Sequence, residues 1–244
     1  QQVIDRADND VKILLFGVSM GGATMEMLSG ETLPDQVKAI IAGGTKAMFI
    51  PVEHAEDDEE AGLEDFLGED PSEQDALVAI SASGRTPYVM APLKKAKEMG
   101  LVTIGLTCNG DSEISEVAQV TIAPVVGPEA VTGSTRMKAG TAQKIVLNTL
   151  STTVMIKIGK VYKNLMVDML PTNEKLQQRA IHIVAEATGI TQEQAQEVLE
   201  AADFNIKAAI VMVQADCDLE TAHSLLAQAE GVVGKALQII AQEG

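Results

Sequence analysis

Five consecutive apolar residues, Ala76-Leu77-Val78-Ala79-Ile80, run directly into Ser81-Ala82-Ser83-Gly84-Arg85-Thr86-Pro87, and this junction constrains the fold more than any other stretch. An uninterrupted apolar pentad is what a strand buried on both faces of a parallel sheet requires. The loop after it carries the parts of an anion site. Ser81 and Ser83 bring hydroxyl donors, Gly84 allows close backbone approach, Arg85 adds a fork of N–H donors, and Thr86 can cap a helix that Pro87 begins. A strand end, a small-residue turn and a helix N-terminus aim unpaired N–H groups and the positive end of the helix dipole at one point. The same residues also make an ordinary strand-to-helix connection, so this stretch alone leaves phosphate binding and a plain turn both open.

The remainder of the chain extends the pattern. Val11–Phe16, Val37–Ile41, Leu101–Thr107 and Val120–Val126 read as further strands, and Pro87–Gly100 has helical spacing with Val89, Met90, Leu93 and Ala96 on one side. A short helix is expected over Met25–Leu28 and a long apolar one from Gly140 to Gly159. Strands alternating with helices predict a doubly wound parallel sheet that binds ligands at the carboxyl ends of its strands. The segment Val52–Asp65 is crowded with Glu53, Glu56, Asp57, Asp58, Glu59, Glu60, Glu64 and Asp65, and for any one of these the default reading is a solvated surface carboxylate. Near Ala187 the sheet-like runs cease. The alanine-rich remainder repeats at an offset of 27, pairing Ala195 with Ala222, Leu199 with Leu226, Ala202 with Ala229, Ile206 with Val233, and Ala209 with Ala236. Two copies of a compact helical unit are expected, giving a first domain over 1–180 and a helical one over 181–244.

Composition narrows the function. With 244 residues, 46% of them apolar, the chain can bury a sizeable core, while a formal net charge of −17 argues against a nucleic-acid or anionic-membrane partner. An anionic small molecule then needs a local pocket of donors. Cys108 and Cys217, like His54, His182 and His223, are too scattered for a metal site or a local catalytic triad, so no metal or cofactor is expected. No secretory leader and no membrane-length apolar run is evident, which predicts a cytoplasmic protein. A strand so near the chain start implies that helices ordinarily preceding it are missing.

Gly127-Pro-Glu-Ala-Val-Thr-Gly-Ser-Thr-Arg-Met-Lys-Ala-Gly-Thr141 gathers glycines, Ser134, Thr135, Arg136 and Lys138 just before the long helix, again the ingredients of a phosphoester pocket. GPEAVTGSTRMKAGTAQK, with LNTLST, MIKIGKV, NLMVD, TNEKL, SASGRTPYV and IAGGTKA…VEHAEDDEEAG, closely resembles the N-acetylmuramic acid 6-phosphate etherases. The resemblance implies a three-layer α/β/α sugar isomerase-type (SIS) sandwich with a small helical C-terminal region, forming a homodimer whose sites lie near the subunit interface. It implies cleavage of the C3 lactyl ether of a small-molecule sugar phosphate, N-acetylmuramic acid 6-phosphate, to N-acetylglucosamine 6-phosphate and D-lactate. That chemistry needs a base for the C2 proton and an acid for the departing oxygen, roles two carboxyl groups of differing pKa can fill.

In the family one catalytic glutamate lies in a stretch of the form VEGAED, which matches Val52-Glu53-His54-Ala55-Glu56-Asp57 and singles out Glu56, with His54 where the family has glycine. The second lies in a segment like SECPP, matched by Gly30-Glu31-Thr32-Leu33-Pro34, hence Glu31. Which of the two removes the proton is left open. The resemblance assigns the sugar phosphate to Ser19, Ser81, Ser83, Gly84, Arg85, Thr86, Ser134, Thr135, Arg136 and Lys138. Departures cluster early. The family's GAGTSGR is represented by Gly17-Val18-Ser19-Met20-Gly21-Gly22-Ala23, without its arginine, and the chain is shorter between Pro34 and Val37. A sugar-phosphate-binding regulatory module without catalysis, and an aldose–ketose isomerase, therefore stand as alternatives.

Overall fold

The structure is a computed structural model that describes residues 12–17 and 37–243. The expected helix over Met25–Leu28, together with Ser19 and Glu31, lies outside the described residues. Five parallel strands form one sheet: β1 (Ile13–Gly17), β2 (Val37–Ile41), β3 (Ala76–Ile80), β4 (Val102–Leu106) and β5 (Val120–Ile122), in the order β2-β1-β3-β4-β5. Ile13 pairs with both Val37 and Ala76, Ala76 with Val102, and Ile104 with Val120. β3 is buried at all five positions, as its unbroken apolar run requires of a central strand. β5 is shorter than the expected Val120–Val126, and Pro124, which has no N–H for a ladder, follows two residues after its end.

Alternation along the strands separates two apolar layers. Leu14, Phe16, Leu77 and Ala79 face one side, where Phe66 of α1 (Glu59–Gly68), Tyr88, Val89 and Leu93 of α2 (Pro87–Glu98) and Ile114 of α3 (Glu113–Val117) cover them. Leu15, Val78, Ile80 and Leu106 face the other, under Leu147 of α4 (Lys138–Lys157). The result is the expected three-layer α/β/α sandwich. Helix α1 sits in the acidic segment that reads as plain solvated surface. Its periodic signal is weak because only Gly62 and Phe66 are buried, and the acids serve its start: the Asp58 carboxylate accepts from Ala61 N at 2.9 Å, and Glu59 and Glu60 lie in the first turn.

Helices α1 and α2 meet at an unusually close backbone approach. Pro92 inside α2 has no N–H to give the Tyr88 carbonyl, and Gly62 lies against that carbonyl, where a Cβ would come within 2.3 Å of the oxygen. Three residues on, the Asp65 carboxylate accepts a hydrogen bond from the Tyr88 hydroxyl.

The chain divides into two compact units, Gln1–Leu150 and Ser151–Gly244. In the second, a two-stranded hairpin pairs β6 (Val161–Tyr162) with β7 (Leu165–Met166), followed by α5 (Glu174–Thr188), α6 (Gln192–Ala201), α7 (Ile206–Ala215), α8 (Leu219–Gln228) and α9 (Val233–Glu243). Asp168 bridges Lys160 at 3.1 Å and Lys207 at 3.4 Å. The repeat is structural as well as sequential. All five matched pairs are buried, and Phe204 N donates to Leu199 O at 2.9 Å just as Gly231 N donates to Leu226 O at 2.7 Å. Asp203 and Glu230 also share a left-handed backbone, at φ 51° and 53°.

Candidate functional site

The strand order reverses direction between β1 and β3, so a crevice opens beyond their carboxyl ends. Ser81–Thr86 forms one wall of it. Ser81 is buried, and its hydroxyl works inside the loop: it accepts from Gly84 N at 3.1 Å and lies 2.8 Å from Thr86 Oγ1 and 3.3 Å from Ser83 Oγ. Thr86 does occupy the position before helix α2, with Pro87 first in the helix, but its hydroxyl turns to Ser81 and does not cap.

Three successive carbonyls of this loop are tied to the segment after β4. Ala82 O accepts from Cys108 N at 3.0 Å, Ser83 O from Asn109 Nδ2 at 3.5 Å, and Gly84 O from Ile114 N at 3.0 Å. A planar trans peptide points its N–H opposite its C=O, so the N–H groups of Ser83 and Arg85 turn away from that segment. No hydrogen bond from the backbone N–H of Ser83, Arg85, Thr86 or Tyr88 reaches a described residue. With the exposed Arg85 side chain, which makes no ion pair with a described residue, they form a set of donors at a helix N-terminus suited to a phosphate.

Gly84 is what allows this shape. Its φ is 70°, and a Cβ there would lie 2.4 Å from Ser112 Oγ and 2.7 Å from Thr107 Oγ1. The sequence reading overlooked Thr107, Asn109 and Ser112. The available signal was that they follow an apolar strand as Ser81 and Ser83 do.

Glu56 lies in a short 3-10 turn, Ala55–Asp57, whose Ala55 packs against the apolar layer that includes Phe66, Tyr88 and Val89, and the turn contacts helix α2. The residue is exposed overall, yet burial of the carboxyl by surrounding protein, and then the charge of Asp57, raise its pKa from the ordinary carboxylate value. His54 precedes the turn at φ 62°, ψ −2°, a left-handed conformation in which glycine is unstrained.

The second donor-rich segment has a different arrangement. The Glu129 carboxylate accepts from Lys138 N and Ala139 N, both at 3.0 Å, and so covers the N-terminus of α4; those two bonds hold its pKa below the usual range. Lys138 Nζ donates to Pro128 O at 2.8 Å. Thr135, Arg136 and Lys138 are exposed and Ser134 is half-buried. Cys108 Sγ lies 3.8 Å from Ala139 O, and burial and the Glu129 charge push its thiol pKa up, so this segment and the Ser81 loop flank the same β4 loop.

Comparison with known proteins identifies the family. Residues 22–97 match the N-terminal SIS domain of glucokinase regulatory protein, 67–153 the SIS domain, and 163–208 the C-terminal lid domain of glucokinase regulatory protein. Over 238 residues the chain is 51% identical to the N-acetylmuramic acid 6-phosphate etherase of Clostridium botulinum, covering 95% of this chain and 79% of that protein. The N-acetylmuramic acid 6-phosphate etherase 1 of Enterococcus faecalis is 48% identical over 204 residues, covering 84% and 68%. The chain belongs to the N-acetylmuramic acid 6-phosphate etherase family. Among solved structures, an Escherichia coli CFT073 protein solved as a ligand complex aligns with TM-score 0.50 at 17% identity, covering 67% of this chain and 78% of that one, a likeness of fold.

Proposed function

We propose that this chain cleaves the lactyl ether of N-acetylmuramic acid 6-phosphate. The observation carrying the reading is a carboxyl of raised pKa, Glu56, beside the helix whose N-terminus carries the open donors of the Ser83–Thr86 loop. In this reading the phosphate lies against Ser83, Gly84, Arg85 and Thr86, with Ser81 shaping the loop. Ser19, outside the described residues, belongs to the same reading, and Ser134, Thr135, Arg136 and Lys138 act from the segment before α4.

The ring-opened sugar has an aldehyde at C1, which makes its C2 proton weakly acidic. One carboxylate removes that proton, the C3–O bond breaks, and a carboxylic acid protonates the departing lactate oxygen. Water then adds at C3 and C2 regains a proton, giving N-acetylglucosamine 6-phosphate and D-lactate. Glu56 and Glu31 fill these two roles. A raised pKa favours the protonated carboxyl relative to an ordinary glutamate, in keeping with Glu56 serving as acid in one half of the cycle.

The domain division at residue 180, a cytoplasmic setting and a homodimer belong to the same reading. Exposed Val125, Val131, Met137 and Ile145 support an apolar contact with a second copy. The test is D-lactate release from the purified chain and from Glu56→Gln. Abolished release in the variant, with N-acetylglucosamine 6-phosphate still bound, supports the assignment. Full release by the variant at saturating substrate overturns it, and binding without lactate from the unaltered chain replaces the lyase with a sensor.

A further inference from the structure

Helix α4 carries a buried polar side chain with no partner among the described residues. Ala139, Gln143 and Leu147 are the residues of α4 buried against the sheet, one turn apart along one face. Leu147 packs on Leu15, Val78, Ile80 and Leu106, and Ala139 meets Cys108, just past β4. Gln143 therefore lies about 6 Å along the helix from each, level with the carboxyl ends of the strands. It is only 8% exposed, and its amide makes no hydrogen bond with a described residue.

A primary amide has two donors and an acceptor, and enclosing it unpaired is costly. Among the described residues no fully enclosed side-chain nitrogen or oxygen lacks a partner, so the unpaired Gln143 amide is not fully enclosed and reaches accessible space. The face it occupies is the one opposite Glu56 and α2. A sugar whose phosphate lies at the start of α2 and whose chain crosses the strand ends would bring its other half to this amide.

We infer that Gln143 is a sugar-binding residue that hydrogen-bonds the acetamido or hydroxyl groups on the reacting half of the substrate, across the crevice from the phosphate. This rests on the sugar-phosphate site proposed above. The amide acts equally on substrate and product, so its loss should raise KM more than it lowers kcat.

The experiment is calorimetry with N-acetylglucosamine 6-phosphate and, separately, inorganic phosphate, on the unaltered chain, Gln143→Leu and Gln143→Asn, with thermal melts and lactate assays alongside. Expected are sugar-phosphate binding weakened about tenfold in both variants, unchanged phosphate binding, and a melting temperature at or above that of the unaltered chain. Unchanged sugar-phosphate affinity in either variant overturns the inference, as does equal loss for both ligands or a lowered melting temperature in both variants, which would mark a structural glutamine. Lactate release with an unmoved KM removes the inference alone. Gln143-dependent binding without any lactate keeps it and removes the lyase reading, and no sugar-phosphate binding by the unaltered chain removes both.

Discussion

Gly84→Ala tests the phosphate loop, because two separable costs meet at that position. A left-handed backbone penalises a side chain by about 1 kcal/mol. The added methyl would also sit 2.5 Å from Ser112 Cβ and 2.7 Å from Thr107 Oγ1, in a buried position where overpacking costs on the order of 2 kcal/mol. The sum is about 3 kcal/mol, or a melting temperature lower by about 6–12 °C for a chain of this size. Two other glycines isolate the parts. Gly189, left-handed at φ 82°, ψ 10° with open space around it, should lose only about 1 kcal/mol on conversion to alanine. Gly62 lies within helix α1, where alanine gains up to about 1 kcal/mol in propensity, but its methyl would meet the Tyr88 carbonyl at 2.3 Å, so the net effect should still be destabilising. Thermal melts of the three variants, with substrate titrations of lactate release, make the comparison. Gly84→Ala alone should also raise the half-saturating substrate concentration, by about tenfold or more, because pushing the loop off Ser112 redirects the N–H groups of Ser83 and Arg85. If Gly84→Ala melts with Gly189→Ala and binds substrate normally, the loop does not hold the phosphate in the way its geometry indicates.

The remaining predictions concern charge and strain around the same crevice. Arg85→Ala should raise KM by about 30-fold, near 2 kcal/mol for one charge-assisted phosphate contact, with kcat little changed; an unmoved KM would place the phosphate elsewhere. Asp57→Asn removes a negative neighbour that disfavours the Glu56 carboxylate, so the Glu56 pKa should fall, though not fully to the ordinary value because burial is the larger cause. Whichever limb of the kcat/KM profile Glu56 controls should therefore move to lower pH, and a shift upward would contradict the electrostatic account. His54→Gly should stabilise the folded chain by about 0.5–1 kcal/mol if relief of the left-handed strain exceeds glycine's greater freedom when unfolded, read as a small rise in denaturant midpoint with an unchanged slope.

What could be read from the amino acids tracks how local the responsible physics is. β3 and the Ser81–Pro87 junction were legible because burial on both faces and the turn chemistry are written in adjacent positions. The helical repeat was legible because its buried positions recur at a fixed offset, down to the paired turn bonds of Phe204 and Gly231. Helix α1 was not, since carboxylates that serve as its cap and first turn look the same as solvated surface when only two of its residues are buried. The role of Ser81 depends on the fold around it. As a sequence element it is a donor for a ligand, whereas in the fold its hydroxyl bonds Gly84 N and Thr86 Oγ1. Glu129 likewise gave no sign that it would cover the start of α4, because the partners are nine and ten residues apart.

These observations change how the crevice should be understood. Side chains alternate along β3, so a parallel sheet covered on both sides has two distinct walls at its carboxyl edge, one continuous with α2 and one with α4. The first wall holds the open N–H donors, Arg85 and Glu56, all suited to an anion and to proton transfer. The second, at α4, has its helix terminus already occupied by Glu129 and Lys138 Nζ bonded to Pro128 O, and beyond the exposed Arg136 of the preceding segment it presents the neutral amide of Gln143. Under the proposed reading, a ligand with a phosphate at one end and uncharged polar groups at the other would set its phosphate on the first wall and its carbon chain across the strand ends.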